Sequence, residues 1–135
     1  KKFNLKKMQG VTIISPNESE TMALTNIYPD TEENILKASQ LLKQRSNAKF
    51  VVLKLGERGC ALYNGTELRI FPPYKTTVVD TTAAGDCFTA ALALEYIKSG
   101  DIHKACDMGN KAGAIAVSRF GAQNSMPNID EIINL

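Results

Sequence analysis

Cysteine is scarce in this 135-residue chain: Cys60, Cys87 and Cys106 are odd in number, far apart and form no C-x-x-C pair. That spacing excludes a disulfide framework and a closed structural zinc site, and it fits a reducing cytosol. An excess of one charge is also lacking. With 16 Lys and Arg interspersed among 14 Asp and Glu, the net charge of +2 calls for neither nucleic acid nor an anionic membrane. Lys1, Lys2, Lys6 and Lys7 cluster at the amino end and read as a solvated face. No apolar run is long enough for a membrane span and no secretory signal opens the chain, so the expected setting is cytoplasmic, with the nucleus added in a eukaryote. The sole histidine, His103, follows Asp101 at a helix start and reads as a surface residue with no catalytic part. Repeats, low-complexity tracts and linkers are absent.

Apolar residues make up 44% of the chain, enough to bury the core of one ordinary domain. Val11–Ile14 is a short β-branched run that stops at Ser15-Pro16 and reads as a buried parallel strand ending in a loop. One or two helical turns follow from Glu18 to Leu24. Asp30-Thr31 then offers an N-cap, with Glu32 and Glu33 in the first turn of a helix that reaches about Arg45. Phe50–Leu53 reads as the next buried strand, and two strands around Asn64-Gly65 read as a tight hairpin. A short strand at 76–79 leads into a helix from about Ala84 to Lys98, stopped near Gly100. A second helix, about Ile102 to Ser118, is rich in Ala and Gly, which permits close packing on a sheet. After it come a loop, Phe120 to Pro127, and a last short helix marked by Ile129, Ile132 and Ile133. This is an α/β layout, in which ligands gather at the carboxyl ends of the strands.

Four stretches at such ends carry chemistry. Val78 to Phe88 passes from a β-branched run through Thr81, Thr82, Ala83, Ala84 and Gly85 into a helix. The N–H groups of Ala83, Ala84, Gly85 and Asp86 can form an anion hole, and small side chains let a phosphate approach the backbone. Asp86 at its mouth serves either as a base that takes a proton from a hydroxyl or as a plain helix cap. Asn17 and Glu20 form N-x-x-E, which reads as an Asx turn before a first-turn Glu or as oxygen ligands of a hard cation, with Glu18 facing solvent. Gly56 and Gly59 bracket a turn that a nucleotide could approach. The loop Arg119 to Ser125 gathers Gly121, Gln123, Asn124 and Ser125, a set with little reason in packing. Cys87, Phe71 and Tyr74 read as packing residues.

Asp80-Thr81-Thr82-Ala83-Ala84-Gly85-Asp86-Cys87-Phe88 resembles the D-T-x-G/A-A-G-D-x-F signature of the ribokinase (PfkB-type carbohydrate kinase) family. Ser15 to Glu20, Leu55 to Gly59 and Ser118 to Pro127 match further motifs of that family in the same order. The resemblance implies a ribokinase-like three-layer α/β/α sandwich with a mostly parallel sheet, of which residues 1–135 are the nucleotide-binding C-terminal half, a single partial domain without the sugar-pocket and lid half. It implies Asp86 as catalytic base and substrate contact, and Asn17, Lys54, Leu55, Gly56, Glu57, Arg58, Gly59, Gly85 and Asn110 at the nucleotide. Mg²⁺ would be met by Asn17 and Glu20, and K⁺ by Asp80, Thr82, Ala116, Arg119, Gly121 and Ser125, the Ala, Arg and Gly through backbone oxygen. Lys54, where Thr is usual, and Asn124, where Pro is frequent, depart from the pattern. The last motif resembles the family's ribose kinases most, which implies ATP-dependent phosphorylation of D-ribose at its 5-hydroxyl by a homodimer, this half being inactive alone. The alternatives are another sugar or nucleoside kinase of the family, or a non-catalytic nucleotide-binding fragment.

Overall fold

The computed structural model describes residues 11–76 and 84–118. Its contacts group the chain into two compact units, Lys1–Ile70 and Phe71–Leu135.

In the first unit, strand β1 (Ile13–Ile14) is followed by helices α1 (Glu18–Thr25) and α2 (Glu32–Ser46), strand β2 (Phe50–Lys54), a 3-10 turn at Gly56–Arg58, and strands β3 (Cys60–Tyr63) and β4 (Leu68–Phe71). The strand order is β1-β2-β3-β4. Ile13 pairs with Phe50 and Ile14 with Val51 in parallel, whereas β2 and β3 run antiparallel from Val51–Tyr63 to Lys54–Cys60. The described sheet is therefore mixed. Only the β1-to-β2 connection contains helices long enough to cross over, and the loops 55–59 and 64–67 are too short for anything but reversal.

Helix α1 begins at Asn17 in a capping box and ends at Asn26 in the left-handed conformation, φ 61°. Helix α2 is capped by Thr31, whose hydroxyl accepts from Asn34 N–H at 3.1 Å. It turns Ile35, Ala38, Ser39, Leu42 and Ser46 inward, the spacing of one helical stripe. Ile35 and Leu42 join Ile14, Val51, Leu53, Leu55 and Ala61 in the core of this unit. The hairpin loop spans four residues, not the two of a tight turn, because Asn64 Oδ1 accepts from both Thr66 N–H and Glu67 N–H at 2.9 Å.

The second unit contains helices α3 (Ala84–Ser99) and α4 (Ile102–Val117). Gly100 closes α3 with φ 70° and an N–H bond to the Tyr96 carbonyl at 2.8 Å. Asp101 caps α4 by accepting from the N–H groups of His103 and Lys104. The small residues of α4 serve its contact with α3: Cys87 and Ala91 pack against Ala112 and Ala116. Leu94 and Ile97, on the other side of α3, stay 55% and 81% exposed. Among the described residues no helix is long and apolar enough to cross a membrane. The strand expected at 76–79 and the helix near Ile129 fall outside the described residues.

At Gly109 a Cβ would stand 2.8 to 3.0 Å from the Phe88 ring, whereas at Gly113 its nearest neighbour would be the Ala84 carbonyl oxygen at 3.8 Å. Gly109→Ala should therefore overpack the helix pair and lower stability by about 1–3 kcal/mol. Gly113→Ala should be neutral or stabilise by up to about 1 kcal/mol, since alanine is the better helix former. Urea unfolding of the two variants compares them directly, and equal midpoints would mean that α4 does not approach α3 at Gly109.

Candidate functional site

Strands β1 and β2 are parallel neighbours; β2 runs past Val51, the partner of Ile14, to Lys54, and the chain leaving β1 stays beside it as far as Pro16, so the turns that follow lie side by side. The Lys54 N–H donates to the Pro16 carbonyl at 2.9 Å, which joins the two exits directly. Beyond this bond the chain forms the Asn17–Glu20 turn on one side and the Leu55–Gly59 turn on the other.

The first turn is held by reciprocal bonds. Asn17 Oδ1 accepts from Glu20 N–H at 2.8 Å, and Glu20 Oε1 accepts from Asn17 N–H at 3.0 Å. Ser19 Oγ also donates to Asn17 Oδ1, at 3.3 Å. Glu20 thus spends one oxygen on the cap, and Oε2 has no partner among the described residues. One open carboxylate oxygen beside an amide suits a magnesium ion that keeps most of its waters and takes phosphate oxygens from a nucleotide. Among the described residues no group of three or more His, Cys, Asp or Glu could hold a metal unaided. The fit to Mg²⁺ is that of a shared site, completed by the ligand. Ser15 Oγ, just past the end of β1, is buried without a hydrogen-bond partner among the described residues.

The second turn needs glycine at both ends. Gly56 has φ 59° and Gly59 φ 88° with ψ −131°, a region closed to residues with a Cβ. Leu55 N–H donates to the Gly59 carbonyl at 2.8 Å, and Gly59 N–H to the Gly56 carbonyl at 3.2 Å. Gly56 and Glu57 open the 3-10 turn, so their N–H groups have no partner within it. Lys54 is half-buried at the end of β2.

Arg58 ties this turn to the rest of the unit. Its Nη2 donates to Glu18 Oε2 at 2.9 Å and to the Pro29 carbonyl at 2.6 Å, and its Nη1 to the Asp30 carbonyl at 2.9 Å. Glu18 was expected to face solvent, but it is the ion-pair partner of Arg58 and also accepts from Tyr28 Oη at 3.4 Å. No local pattern announces this: the two residues are 40 positions apart. Asn34 Nδ2 donates to Asp30 Oδ1 at 2.8 Å, which holds the Asp30 carboxyl below its ordinary value and fixes the segment that Arg58 grips.

In the second unit Ala84, Gly85 and Asp86 are the first three residues of α3, and Gly85 and Asp86 are exposed. Their N–H groups are the ones a helix leaves unpaired, at its positive end. Ala83 lies outside the described residues, as do Asp80, Thr82, Arg119, Gly121 and Ser125. Of the potassium set only Ala116 is described, in the last turn of α4, where its carbonyl and that of Ile115 accept from the Ser118 N–H.

Asn110, expected at the nucleotide, is buried on α4. Its Nδ2 donates to the carbonyls of Pro72 at 3.0 Å and Phe71 at 3.3 Å, which anchors α4 to the segment entering this unit. Tyr74 belongs to the same segment. Its hydroxyl donates to Asp107 Oδ1, Lys111 Nζ lies 5.7 Å from its ring centroid, and Lys111 pairs with Asp107 Oδ2 at 3.6 Å. Phe71 stacks obliquely on His103, centroids 5.9 Å apart. Both aromatics are thus engaged in packing, as their surroundings in the sequence suggested.

Three comparisons with known proteins bear on this arrangement. The model of the "pfkB family carbohydrate kinase" matches residues 4–129. The chain is 36% identical over 124 residues to the bifunctional ribokinase/ribose-5-phosphate isomerase A of Fructilactobacillus sanfranciscensis, covering 91% of this chain and 23% of that protein. It is 34% identical over 116 residues to the bifunctional protein HldE of Campylobacter jejuni, covering 86% of this chain and 25% of that protein. In structure it is similar to Arabidopsis thaliana ribokinase complexed with ribose and ATP, with TM-score 0.88 and 31% identity over 97% of this chain and 42% of that one. The likeness establishes the ribokinase-like α/β fold. The chain spans about a quarter to two-fifths of the length of these relatives.

Burial and then the bond to Asp107 push the Tyr74 phenol up to about 12 from an ordinary 10. A raised acid is protonated longer in the folded state, so this group stabilises the fold fully below pH 10 and loses that contribution as pH rises toward 12. The difference in tyrosinate absorbance between the parent and Tyr74→Phe should titrate near 12 and move down toward 10 in Asp107→Asn. A midpoint near 10 in the parent would mean that neither the burial nor the bond is present. Removing the cap with Asn17→Ala should cost about 0.5–2 kcal/mol in thermal unfolding.

Proposed function

Since the chain belongs to the pfkB family of carbohydrate kinases, we propose that it is the nucleotide-binding part of an ATP-dependent sugar kinase whose acceptor is the 5-hydroxyl of D-ribose. The observation that carries this reading is the meeting of two turns, Asn17–Glu20 and Leu55–Gly59, at the carboxyl ends of adjacent parallel strands, joined by the Lys54–Pro16 bond. Crevices at such strand ends are where α/β sheets bind nucleotides.

In this reading the Gly56-Glu57-Arg58-Gly59 backbone, with Lys54 and Leu55, receives the nucleotide. Glu20, with Asn17, holds Mg²⁺ largely through water. The ion neutralises charge on the phosphates when bound. Asp86 orients the sugar hydroxyl and takes its proton as the hydroxyl oxygen bonds to the γ-phosphorus and the bond from that phosphorus to the ADP oxygen breaks. The N–H groups of residues 83–86 receive the phosphoryl oxygens at the positive end of α3. For a monovalent cation the set Asp80, Thr82, Ala116, Arg119, Gly121 and Ser125 offers only oxygen donors, which suits K⁺ as an activator that steadies the turn before α3.

Ribose is favoured as acceptor by the similarity to proteins described as ribokinases. A second reading, a kinase for another sugar of the same family, is favoured by the comparable similarity to HldE. The two separate on a panel of sugars offered to the longest natural form of the protein.

Asp86→Asn in that form should lower kcat by about 10²–10⁴-fold, the worth of a general base, while ATP affinity is retained. Coupled ADP release and calorimetric ATP titration read the two quantities separately. Full turnover in the variant would remove Asp86 from the mechanism, and a parent that binds no ATP would overturn the assignment as a kinase.

A further inference from the structure

The geometry points to Arg58 as a positioning residue: its guanidinium sets the Gly56–Gly59 turn against the Asn17–Glu20 turn and so governs nucleotide affinity without itself contacting the nucleotide. The inference rests on the nucleotide reading above. Three of the guanidinium's N–H groups are committed inside the protein, to Glu18 Oε2, the Pro29 carbonyl and the Asp30 carbonyl. These acceptors belong to two separate pieces, the first turn of α1 and the segment entering α2. Arg58 itself sits in the 3-10 turn, so one side chain fixes three segments at once.

The turn has need of such a tether. Both its ends are glycines at positive φ, which leaves the backbone permissive where a nucleotide would approach. Glu18 lies beside the turn: a Cβ added at Gly56 would stand 3.4 Å from Glu18 Oε1, in ordinary contact. Glu18 is held in turn by Tyr28 Oη as well as by Arg58. The side chains of Arg58 and Glu18 are 41% and 30% exposed, so screening makes the pair a weak contributor to stability. What the pair supplies is geometry. The three bonds leave from two nitrogens of a planar fork, a spread that the single ammonium of lysine does not reproduce, so lysine is not an equivalent substitute.

The test uses the longest natural form with MgATP and compares Arg58→Ala, Arg58→Lys and Glu18→Ala with the parent, thermal melts serving as the control for folding. Arg58→Ala should raise the ATP KM and Kd about tenfold, with a much smaller change in kcat and none in the sugar KM, because displacing the turn misplaces the nucleotide. Glu18→Ala should weaken ATP in the same direction by a smaller factor, since the two carbonyl contacts remain. Arg58→Lys should not restore affinity.

Unchanged ATP affinity in Arg58→Ala overturns the inference. So does weaker binding in Arg58→Ala with undiminished binding in Glu18→Ala, because Arg58 would then be a direct ligand. If Arg58→Ala does not melt cooperatively, Glu18→Ala decides alone. A parent that binds no ATP overturns both this inference and the proposed function, whereas a parent that binds ATP beside unaffected variants overturns this inference only.

Discussion

The 2.9 Å hydrogen bond from Lys54 N–H to the Pro16 carbonyl is the point on which the first unit turns. It exists because β1 and β2 are parallel, which requires the α1 and α2 crossover and brings both strand ends to one edge. Past that bond neither segment can continue as sheet. Pro16 has no N–H to give, and Gly56 turns the other segment to positive φ. Each segment must therefore satisfy its own backbone. One does so through the Asn17–Glu20 capping box, the other through the Leu55–Gly59 bond and the Arg58 tether. Among the described residues an oxygen of Glu20 and the N–H groups of Gly56 and Glu57 remain without a partner, and these are the groups a magnesium nucleotide would use.

The second unit solves a different problem with the same economy. Helix α3 must begin with small residues and still present a carboxylate, and it must pack closely on α4. Cys87, Phe88, Ala91 and Leu92 face inward while Gly85 and Asp86, immediately before them, remain exposed. Gly109 of α4 accommodates the Phe88 ring, so packing of the helix begins directly behind the turn that carries Asp86. Asn110 and the Tyr74–Asp107–Lys111 group then bind the entering segment to α4. Polar side chains here are structural fasteners, each satisfied by a neighbour.

Much of this was legible in the chain itself. Thr31 and Asn17 are short polar residues placed before helices, and capping follows from that position alone. The stripe Ile35, Ala38, Leu42 reports its helix through period, and the apolar runs at 11–14 and 50–53 mark the two strands, although β1 keeps only Ile13–Ile14; this is local information. The Ala84–Asp86 helix start could be read for the same reason. Contacts far apart in sequence could not. The Glu18–Arg58 pair depends on how the β1–β2 pairing folds the crossover, and neither residue's neighbours distinguish it from an ordinary surface charge. The bonds of Asn110 are hidden likewise, since its partners are backbone carbonyls 38 and 39 positions away. The hairpin failed differently: Asn64-Gly65 suggested two residues, but an Asx arrangement of the same asparagine makes a four-residue loop equally satisfied.

The central claim is that the two turns at the ends of β1 and β2 form one nucleotide site. Hydrogen–deuterium exchange of the longest natural form, with and without MgATP, tests it most directly. The account predicts that peptides covering residues 15–20 and 54–59 slow together when ATP binds. Saturating ATP that protects neither peptide, or only one of them, would contradict it.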